Sequence, residues 1–510
     1  MYHMILFNMK KRYLQLALIA LLGGSCTQNF EEINTNPAMV KEENLNPDML
    51  LTWSLKHSVF EYFGPNTPWS MREYAGYVAY EETGDIFLPC DCANPFNYYR
   101  RFIVNLNELI RIVSPDSRKS NQVAIARIWN AFLYQRMTDA YGDIPYSEAA
   151  KDPVNVINQP VYESQASIYG NLLNELKEAA QMLSTAPDQI SFGNADLIYK
   201  GDPELWRRFA NSLRLRMAMR IRYADATLAG QHIQEVVTAP LLEDNSHNAL
   251  LTTLPPGGST PVDNVNPVYT SGLSGANPIR FGFAISEVMI ERDDPRLPIY
   301  AVASTDGVSG YKGRPIQLEG EEERNYYDRT NTAEIGPLLT GEVADIMVMN
   351  SAEVYFLRAE AALAGLSTEN VQQMYQQGIQ QSMAQVGLED EAAAYTAKPL
   401  VALAGDEEEQ LKKIILQKYI AIYPNATEAW AEWRRTGYPA MWTGSMKGAT
   451  NGQIPRRMTY PIDEFGKNAE NLRQAIDQLP GGDTFLSKVW WDKKPGLPYT
   501  HPKQGMFPPN

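Results

Sequence analysis

The chain has 510 residues, of which 44% are apolar and 21% charged, with a formal net charge of −15 at pH 7. That length allows a large hydrophobic core, and the composition is that of a folded protein. The acidic balance lacks the basic footprint that phosphate binding requires, which argues against nucleic acid as a partner. Only 5 His accompany 28 Tyr and 9 Trp. So few His leave little material for a His-based metal centre or triad. The many Tyr and Trp side chains suit binding of amphipathic ligands such as sugar rings.

The N-terminus has the layout of a bacterial lipoprotein signal. Residues 9–26 read MKKRYLQLALIALLGGSC, a basic start, a short apolar run and small residues before Cys26. The apolar run is too short to span a bilayer, so together with the basic start it predicts a secretory signal. The position of Cys26 directly after the small residues predicts its lipidation. We expect residues 1–25 to be a signal peptide, with Met9 as the true start, and residues 26–46 to be the lipidated N-terminus and tether. No later segment predicts a transmembrane helix.

Residues 60–100 are rich in Gly, Pro, Asn and aromatic side chains. Long irregular stretches in a compact protein tend to be functional or to dock on a scaffold. Cys90 and Cys92 lie within this stretch. A disulfide across Cys-Asp-Cys would be strained, and no other Cys or His lies nearby to complete a metal site, so the sequence leaves their state open.

Helical periodicity marks two later stretches. Within residues 121–225, apolar side chains recur on one helix face, for example at Ile125, Ile128 and Phe132. Residues 352–435 repeat the pattern in pairs of helices separated by turns. Such pairs predict stacked helical hairpins that bury their apolar faces against their neighbours.

The stretches between and after these helices have a different character. Residues 244–345 and 437–510 are rich in Gly and Pro. We therefore expect a mainly α protein with a tetratricopeptide-like helical-hairpin repeat scaffold. Large loop-rich insertions should pack on one side of it, and residues 47–510 should form a single domain.

Six segments of the chain resemble, in the same order, motifs of the SusD/RagB family. They are NFEEINTNP at residues 29–37, TDAYGDIPYSEA at 138–149, DDPRL at 293–297, SAEVYFLRAEA at 351–361, WAEWRRTGYP at 430–439 and PRRMTYP at 455–461. Each motif is weak alone, but together they extend over nearly the whole mature chain. Most of them have plain structural readings as helix ends, turns and paired charges, so we expect them to serve the fold.

The resemblance implies a surface-exposed, lipid-anchored protein of a Gram-negative outer membrane. Members of this family sit as a lid on a TonB-dependent transporter of the SusC type and capture oligosaccharides or other nutrients for import. The alternatives are capture of peptides or other non-glycan nutrients, a glycan-cleaving enzyme, and a structural partner of the transporter without its own ligand. We expect neither a cofactor nor a metal.

Catalysis finds little support in the sequence. A glycosidase needs two carboxylates beside its cleft. Pairs such as Asp139 with Asp143, or Glu291 with Asp293 and Asp294, arise freely among 60 acidic residues. The chain has no nucleophile-elbow Gly-x-Ser-x-Gly, His-Glu-x-x-His or phosphate loop. We therefore expect a binding protein and no enzyme.

Aromatic and amide side chains of the irregular stretches are the candidate ligand contacts. Sugar rings stack on aromatic faces, while their hydroxyl groups bond to polar side chains. The candidates are Trp69, Tyr74, Tyr80, Phe96, Asn97, Tyr98, Tyr99, Arg100, Tyr269 and Tyr326.

Overall fold

The computed structural model describes residues 45–63, 73–80, 95–151, 156–272, 279–316, 318, 320–442, 450, 452–504 and 506–507. Cys26, Trp69, Cys90 and Cys92 lie outside the described residues, as do the predicted signal peptide and all but the last two residues of the tether. Residues 48–510 form one compact unit.

Helices dominate the described part of the chain. They are α1 (Pro47–Phe63), α2 (Val104–Val113), α3 (Ser120–Tyr141), α4 (Gln165–Met182), α5 (Pro203–Arg220), α6 (Ala226–Val236), α7 (Pro267–Gly272), α8 (Phe283–Glu291), α9 (Leu297–Tyr300), α10 (Glu321–Tyr326), α11 (Pro337–Thr340), α12 (Ser351–Leu363), α13 (Val371–Ala384), α14 (Ala392–Thr396), α15 (Glu407–Ala421), α16 (Ala426–Thr436), α17 (Glu464–Lys467) and α18 (Ala469–Asp477). The strands are β1 (Val78–Tyr80), β2 (Ile144–Pro145), β3 (Tyr162–Glu163), β4 (Ala249–Thr252), β5 (Ile279–Phe281), β6 (Ala301–Val302), β7 (Glu334–Ile335) and β8 (Asp345–Met349).

The long helices begin where the sequence supplies side-chain caps. The Asp202 carboxylate accepts hydrogen bonds from the first backbone N–H groups of α5, and Pro203 occupies its first turn. Asp406 and Glu409 form a capping box at α15. Caps of this kind satisfy N–H groups that have no partner within the helix and contribute about 1 kcal/mol each.

The helices stack in sequence order into one scaffold. From α2 to α6 each helix packs against the next. Helix α5 also contacts α12, which in turn packs against α13 and α15. The two periodic stretches of the sequence are therefore joined in one continuous scaffold, and the predicted mainly α, tetratricopeptide-like fold is confirmed.

Buried ion pairs join helices that are far apart in the sequence. Arg216 of α5 pairs with Glu353 of α12 at 2.6 Å, and Arg435 of α16 pairs with Glu360 of α12 at 2.5 Å. All four side chains are at most 2% exposed. The carboxylates of the motif at residues 351–361 therefore pair with Arg side chains of other helices, and these ion pairs connect the helices of the scaffold.

Short strands organise the loop-rich stretches. Strands β1, β5, β7 and β6 form an antiparallel four-stranded sheet in that order, and β4 pairs with β8 in a separate ribbon. These strands are only two to five residues long. Alternation over so few residues is too short to be recognised in sequence, which is why the stretch at 244–345 shows no periodicity.

Candidate functional site

A pocket of about 660 Å³ opens between two segments that are far apart in the sequence. The first segment comprises residues 144–151 and 156–160, and the second contains α17. We call this cavity the Phe96 pocket. Its lining residues are Phe96, Asn97, Tyr99, Val104, Pro145, Glu148, Ala149, Ala150, Val156, Ile157, Asn158, Pro160, Pro461, Asp463, Glu464, Lys467 and Asn468.

Aromatic side chains form the base of the pocket. The ring of Phe96 meets those of Tyr99 and Tyr141 edge to face, with centroids 5.3 and 5.5 Å apart. The Tyr99 hydroxyl donates a hydrogen bond to the Pro145 carbonyl oxygen. Burial raises the pKa of Tyr99 well above its ordinary value, so this hydroxyl keeps its proton. The base is thus rigid and largely apolar.

Hydrogen bonds tie the two walls together at one end. The Asn468 side-chain amide donates to the Pro160 carbonyl oxygen at 2.7 Å, and the Gln159 amide donates to the Lys467 carbonyl oxygen at 3.2 Å. The Tyr162 hydroxyl also donates to Glu464 Oε2 at 2.9 Å. Since Pro160 and Asn468 both line the pocket, their direct bond joins its two walls at this end.

Polar side chains make up much of the remaining lining. Three lining residues carry amides, namely Asn97, Asn158 and Asn468. The carboxylates are Glu148, Asp463 and Glu464, and the single lining ammonium is Lys467. Three negative groups and one positive group give the lining a net charge of −2. Amides and carboxylates can bond to neighbouring hydroxyl groups, whereas the net charge disfavours anionic ligands.

Apolar side chains remain exposed around the pocket. Val156 and Ile157 of the lining are 65% and 48% exposed, and Ile462 and Phe465 beside α17 are 70% and 48% exposed. Exposed apolar groups next to a cavity with polar lining are typical of a binding surface.

Three predicted ligand contacts meet in this pocket, namely Phe96, Asn97 and Tyr99. The side chain of Arg100 and all of Trp69 lie outside the described residues. Tyr269 is half-buried on α7, and its hydroxyl lies 3.3 Å from Glu342 Oε1. It is not among the residues that line the pocket.

Three other predicted contacts are core residues. Tyr74, Tyr80 and Tyr98 are 2%, 4% and 2% exposed. Tyr74 packs against Trp430, with ring centroids 5.5 Å apart. Their ring faces are covered by protein and cannot stack with a ligand. The aromatic richness of residues 60–100 serves the core at these positions.

Tyr326 lies in a separate group of aromatic rings on α10. It is 37% exposed, and Lys312 Nζ lies 3.7 Å from its ring centroid. Its ring meets those of Tyr327 and Phe507 edge to face. A cation already covers one face of Tyr326. We call Lys312, Tyr326, Tyr327 and Phe507 the Tyr326 cluster.

The carboxylates considered for catalysis have structural partners. Asp139 Oδ1 accepts hydrogen bonds from the Tyr169 hydroxyl and from Trp491 Nε1. Asp294 pairs with Arg296 at 2.6 Å, with both side chains fully buried. Burial raises the pKa of Asp139. Burial also opposes ionisation of Asp294, but Arg296 and further hydrogen-bond donors hold the pKa of Asp294 below its ordinary value. Both carboxylates act within the core.

Across the described residues, no group of three or more His, Cys, Asp or Glu side chains is placed to hold a metal ion. Nor does any described helix have the length and apolar character needed to cross a membrane.

The sequence did not reveal the second wall of the pocket. Asn468 and Pro160, which are bonded directly, are 308 positions apart. No periodicity links such distant irregular stretches, and the only signal was the concentration of Gly and Pro after residue 437. Glu464, Lys467 and Asn468 were therefore not among the predicted contacts, and neither were Val156 and Ile157.

The stacked helices and the pocket together define a helical-repeat binding protein. A family model described as SusD-like, starch-binding associating with outer membrane, matches residues 71–461. The chain belongs to this SusD-like family, which is associated with the outer membrane and consists of binding proteins.

Solved structures show the same fold. A chitin-binding protein is 27% identical, with a TM-score of 0.76 over 88% of this chain and 100% of its own. A chitin-binding SusD homologue from Flavobacterium johnsoniae is 27% identical, with a TM-score of 0.73 over 87% of this chain and 97% of its own. A SusD homologue from Parabacteroides distasonis is 24% identical, with a TM-score of 0.76 over 88% of this chain and 98% of its own. No curated protein matches the chain.

Proposed function

We propose that this protein captures neutral oligosaccharides at the cell surface and delivers them to a TonB-dependent transporter of the SusC type. It is anchored in the outer membrane through lipid on Cys26 and faces outward. The glycan binds in the Phe96 pocket, and the protein releases it chemically unchanged.

One observation carries the proposal: Phe96, Asn97 and Tyr99 line a single pocket of about 660 Å³ with three carboxylates and the Asn158 amide. A cavity of this size with an apolar base and convergent polar groups suits a small polar ligand. The chitin-binding proteins similar to this chain support a β-linked glycan of N-acetylglucosamine, and the starch-binding description of the family supports a glucan.

The charge of the lining narrows the ligand class. Its net charge of −2 repels uronic acids and sulfated sugars. Neutral glycans avoid that repulsion, and their hydroxyl and acetamido groups can donate to the carboxylates Glu148 and Glu464.

Binding of the soluble chain that begins after Cys26 tests the proposal. Affinity electrophoresis and calorimetry would compare chitin-type and starch-type oligosaccharides with an anionic glycan and a protein hydrolysate. We expect binding of a neutral glycan only. Ile157→Trp, which fills the pocket, should weaken it by about tenfold or more, and Asn97→Ala by about threefold to tenfold, the range expected for one lost hydrogen bond.

Matched variants separate the pocket from other sites. Leu400→Trp adds the same ring at a position that is 51% exposed and outside the lining, and should leave affinity unchanged. If Tyr326→Ala abolishes binding while Ile157→Trp does not, the ligand site belongs to the Tyr326 cluster and not to the pocket. Binding of peptides alone would support the alternative nutrient, and shortened glycan products would support an enzyme. No ligand at all would favour a structural partner of the transporter.

Anchoring has its own test. Cys26→Ser should release the protein from the outer membrane, because a multiply acylated Cys supplies the hydrophobic attachment. Labelling of intact cells with a membrane-impermeant reagent checks the orientation. Wild-type protein that stays membrane-bound without lipid would contradict this part of the proposal.

A further inference from the structure

Hydrogen bonds join the two walls of the Phe96 pocket at one end, where Asn468 meets Pro160 and Gln159 meets the Lys467 carbonyl oxygen. Within the first wall, the Glu148 carboxylate accepts a hydrogen bond from the Val161 backbone N–H at 3.0 Å. This second bond fixes the position of Glu148, which lines the pocket. A ligand that enters between the segments meets a wall where a groove would continue.

Further hydrogen bonds accompany the one between Asn468 and Pro160. Asn468 is 3% exposed, and its Oδ1 accepts a further hydrogen bond from Asn471 Nδ2 at 2.9 Å. Asn471 Nδ2 also donates to the Gln159 carbonyl oxygen at 3.0 Å. The two segments are thus joined by several side-chain bonds, and opening this end would break them together.

The volume limits the length of a bound chain. A water molecule occupies about 30 Å³, and a sugar residue with eleven or more heavy atoms about 200 Å³, so a cavity of this size holds about three residues. A longer glycan must leave through the mouth. Phe465 lies between the lining residues Glu464 and Lys467 in the sequence and is 48% exposed, so its ring is available to a glycan residue that emerges beside α17.

We infer that the pocket binds the end of a neutral glycan chain, two or three residues deep, and does not grip a chain along its length. This inference rests on the proposed function, since it assumes that the pocket is the glycan site. Release into a transporter would then require only withdrawal of one chain end.

Calorimetry with a length series of oligosaccharides tests the inference on the soluble chain. Chito- and malto-oligosaccharides of two to six residues would be titrated separately. We expect affinity to rise by about tenfold up to three residues and to change by less than about threefold beyond that length, because later residues lie outside the pocket. Phe465→Ala should weaken the longer members and leave the disaccharide unchanged.

Chain ends can be counted directly. At equal mass, a polysaccharide cut into shorter fragments should bind more protein in proportion to its number of ends. Borohydride reduction opens the sugar ring at the reducing end and so distinguishes the two ends. Loss of binding would place the reducing end in the pocket, and unchanged binding would place the non-reducing end there. Both results are consistent with chain-end binding.

Two different failures remain distinguishable. If affinity keeps rising steeply from three to six residues, or if capacity follows mass and not ends, glycan capture stands and the chain-end inference is overturned. If no oligosaccharide of either series binds, or if Ile157→Trp leaves binding intact, the assignment of the pocket itself fails and the inference falls with it.

Discussion

Charged side chains are used differently in the helical scaffold and around the Phe96 pocket. In the scaffold they are buried and multiply paired: Arg435 donates to both oxygens of Glu360 and both of Glu432, and is fully buried. At the pocket, Asp463 and Lys467 form a pair whose side chains are 67% and 61% exposed. The first arrangement leaves no capacity for a ligand, whereas the second leaves hydrogen-bonding positions open to solvent.

This difference separates motifs that build the fold from residues that meet a ligand. The charges of the segments 351–361 and 430–439 are buried in the scaffold, as Glu353 and Arg435 illustrate. The segments 138–149 and 455–461 instead contribute Glu148 and Pro461 to the pocket wall. A motif shared with a family therefore does not show by itself whether its residues build the fold or contact a ligand. The burial and the ion pairing of each side chain distinguish the two roles.

The largest effect should follow from breaking the buried network. Arg435→Met leaves Glu360 and Glu432 without their main partner in a site that excludes water. Loss of one partner of a buried pair costs about 3–5 kcal/mol of unfolding free energy. Urea unfolding of the soluble domain measures this.

The control for that variant is Arg118→Ala. Arg118 pairs with Asp116 on the surface, and its side chain is 62% exposed, so its loss should leave the urea midpoint unchanged. Equal shifts for the two variants would contradict the distinction between buried and exposed charges.

Acid should act on the scaffold through the same carboxylates. Burial opposes ionisation of Glu360, Glu428 and Glu432, but the surrounding Arg and Lys side chains hold their pKa values below the ordinary value of 4.5. Groups whose pKa is lowered by folding stabilise the folded chain above their unfolded pKa and lose that contribution as pH falls. Asp139, whose pKa burial raises, offsets part of this loss.

We therefore expect the urea midpoint to fall as pH decreases from about 5 to about 3, the range below the unfolded pKa of these groups. Glu360→Gln removes one of the three carboxylates and should flatten the slope. A midpoint that stays constant or rises over this range would show that the network does not govern acid stability.

Sequence patterns predicted the scaffold because helical periodicity is a local signal. Ile125, Ile128 and Phe132 lie within two turns of one helix, so the sequence alone places them on one face. The confirmed fold was predicted from such signals, and the confirmed family from six short motifs. The partners of Glu353 and Glu360 lie on other helices, and their spacing does not reveal which Arg each one meets.

The pocket was only half predictable. Phe96, Asn97 and Tyr99 follow one another closely and could be chosen by residue type, but the same choice included Tyr98, which is buried. Neighbours in an irregular turn point in different directions, and composition does not say which one faces the cavity. The wall formed by Glu464 and its neighbours depends on a contact across roughly 300 residues, which no local signal encodes.

A smaller effect is expected where the loop-rich stretch is fastened to the scaffold. Arg296 is fully buried and donates to Asp294, to the Ser382 hydroxyl at 2.7 Å and to Gln417 Oε1 at 2.9 Å. Arg296→Lys keeps the charge but cannot reproduce the planar fork, so two or three of these bonds are lost. We expect a decrease of about 2–3 kcal/mol in the urea unfolding free energy.

Lys398→Ala serves as the comparison for Arg296→Lys. Lys398 Nζ bonds to Asp293 at 2.6 Å, but that carboxylate is 94% exposed. Its removal should change stability by less than about 1 kcal/mol. A larger loss from Lys398→Ala than from Arg296→Lys would contradict the role of Arg296 as the main fastening.

The smallest change in stability should come from the pocket, together with a clear change in binding. Asn468→Ala removes the bond to the Pro160 carbonyl oxygen and should cost about 1 kcal/mol of unfolding free energy. Because the same bond joins the two walls of the pocket, glycan affinity should fall by about tenfold, more than the stability loss alone would cause. Calorimetry on the folded variant and urea unfolding measure the two quantities separately. Arg296→Lys should show the opposite pattern, with lower stability and unchanged glycan affinity. If both variants changed stability and affinity in the same way, the distinction between pocket residues and scaffold residues would be wrong.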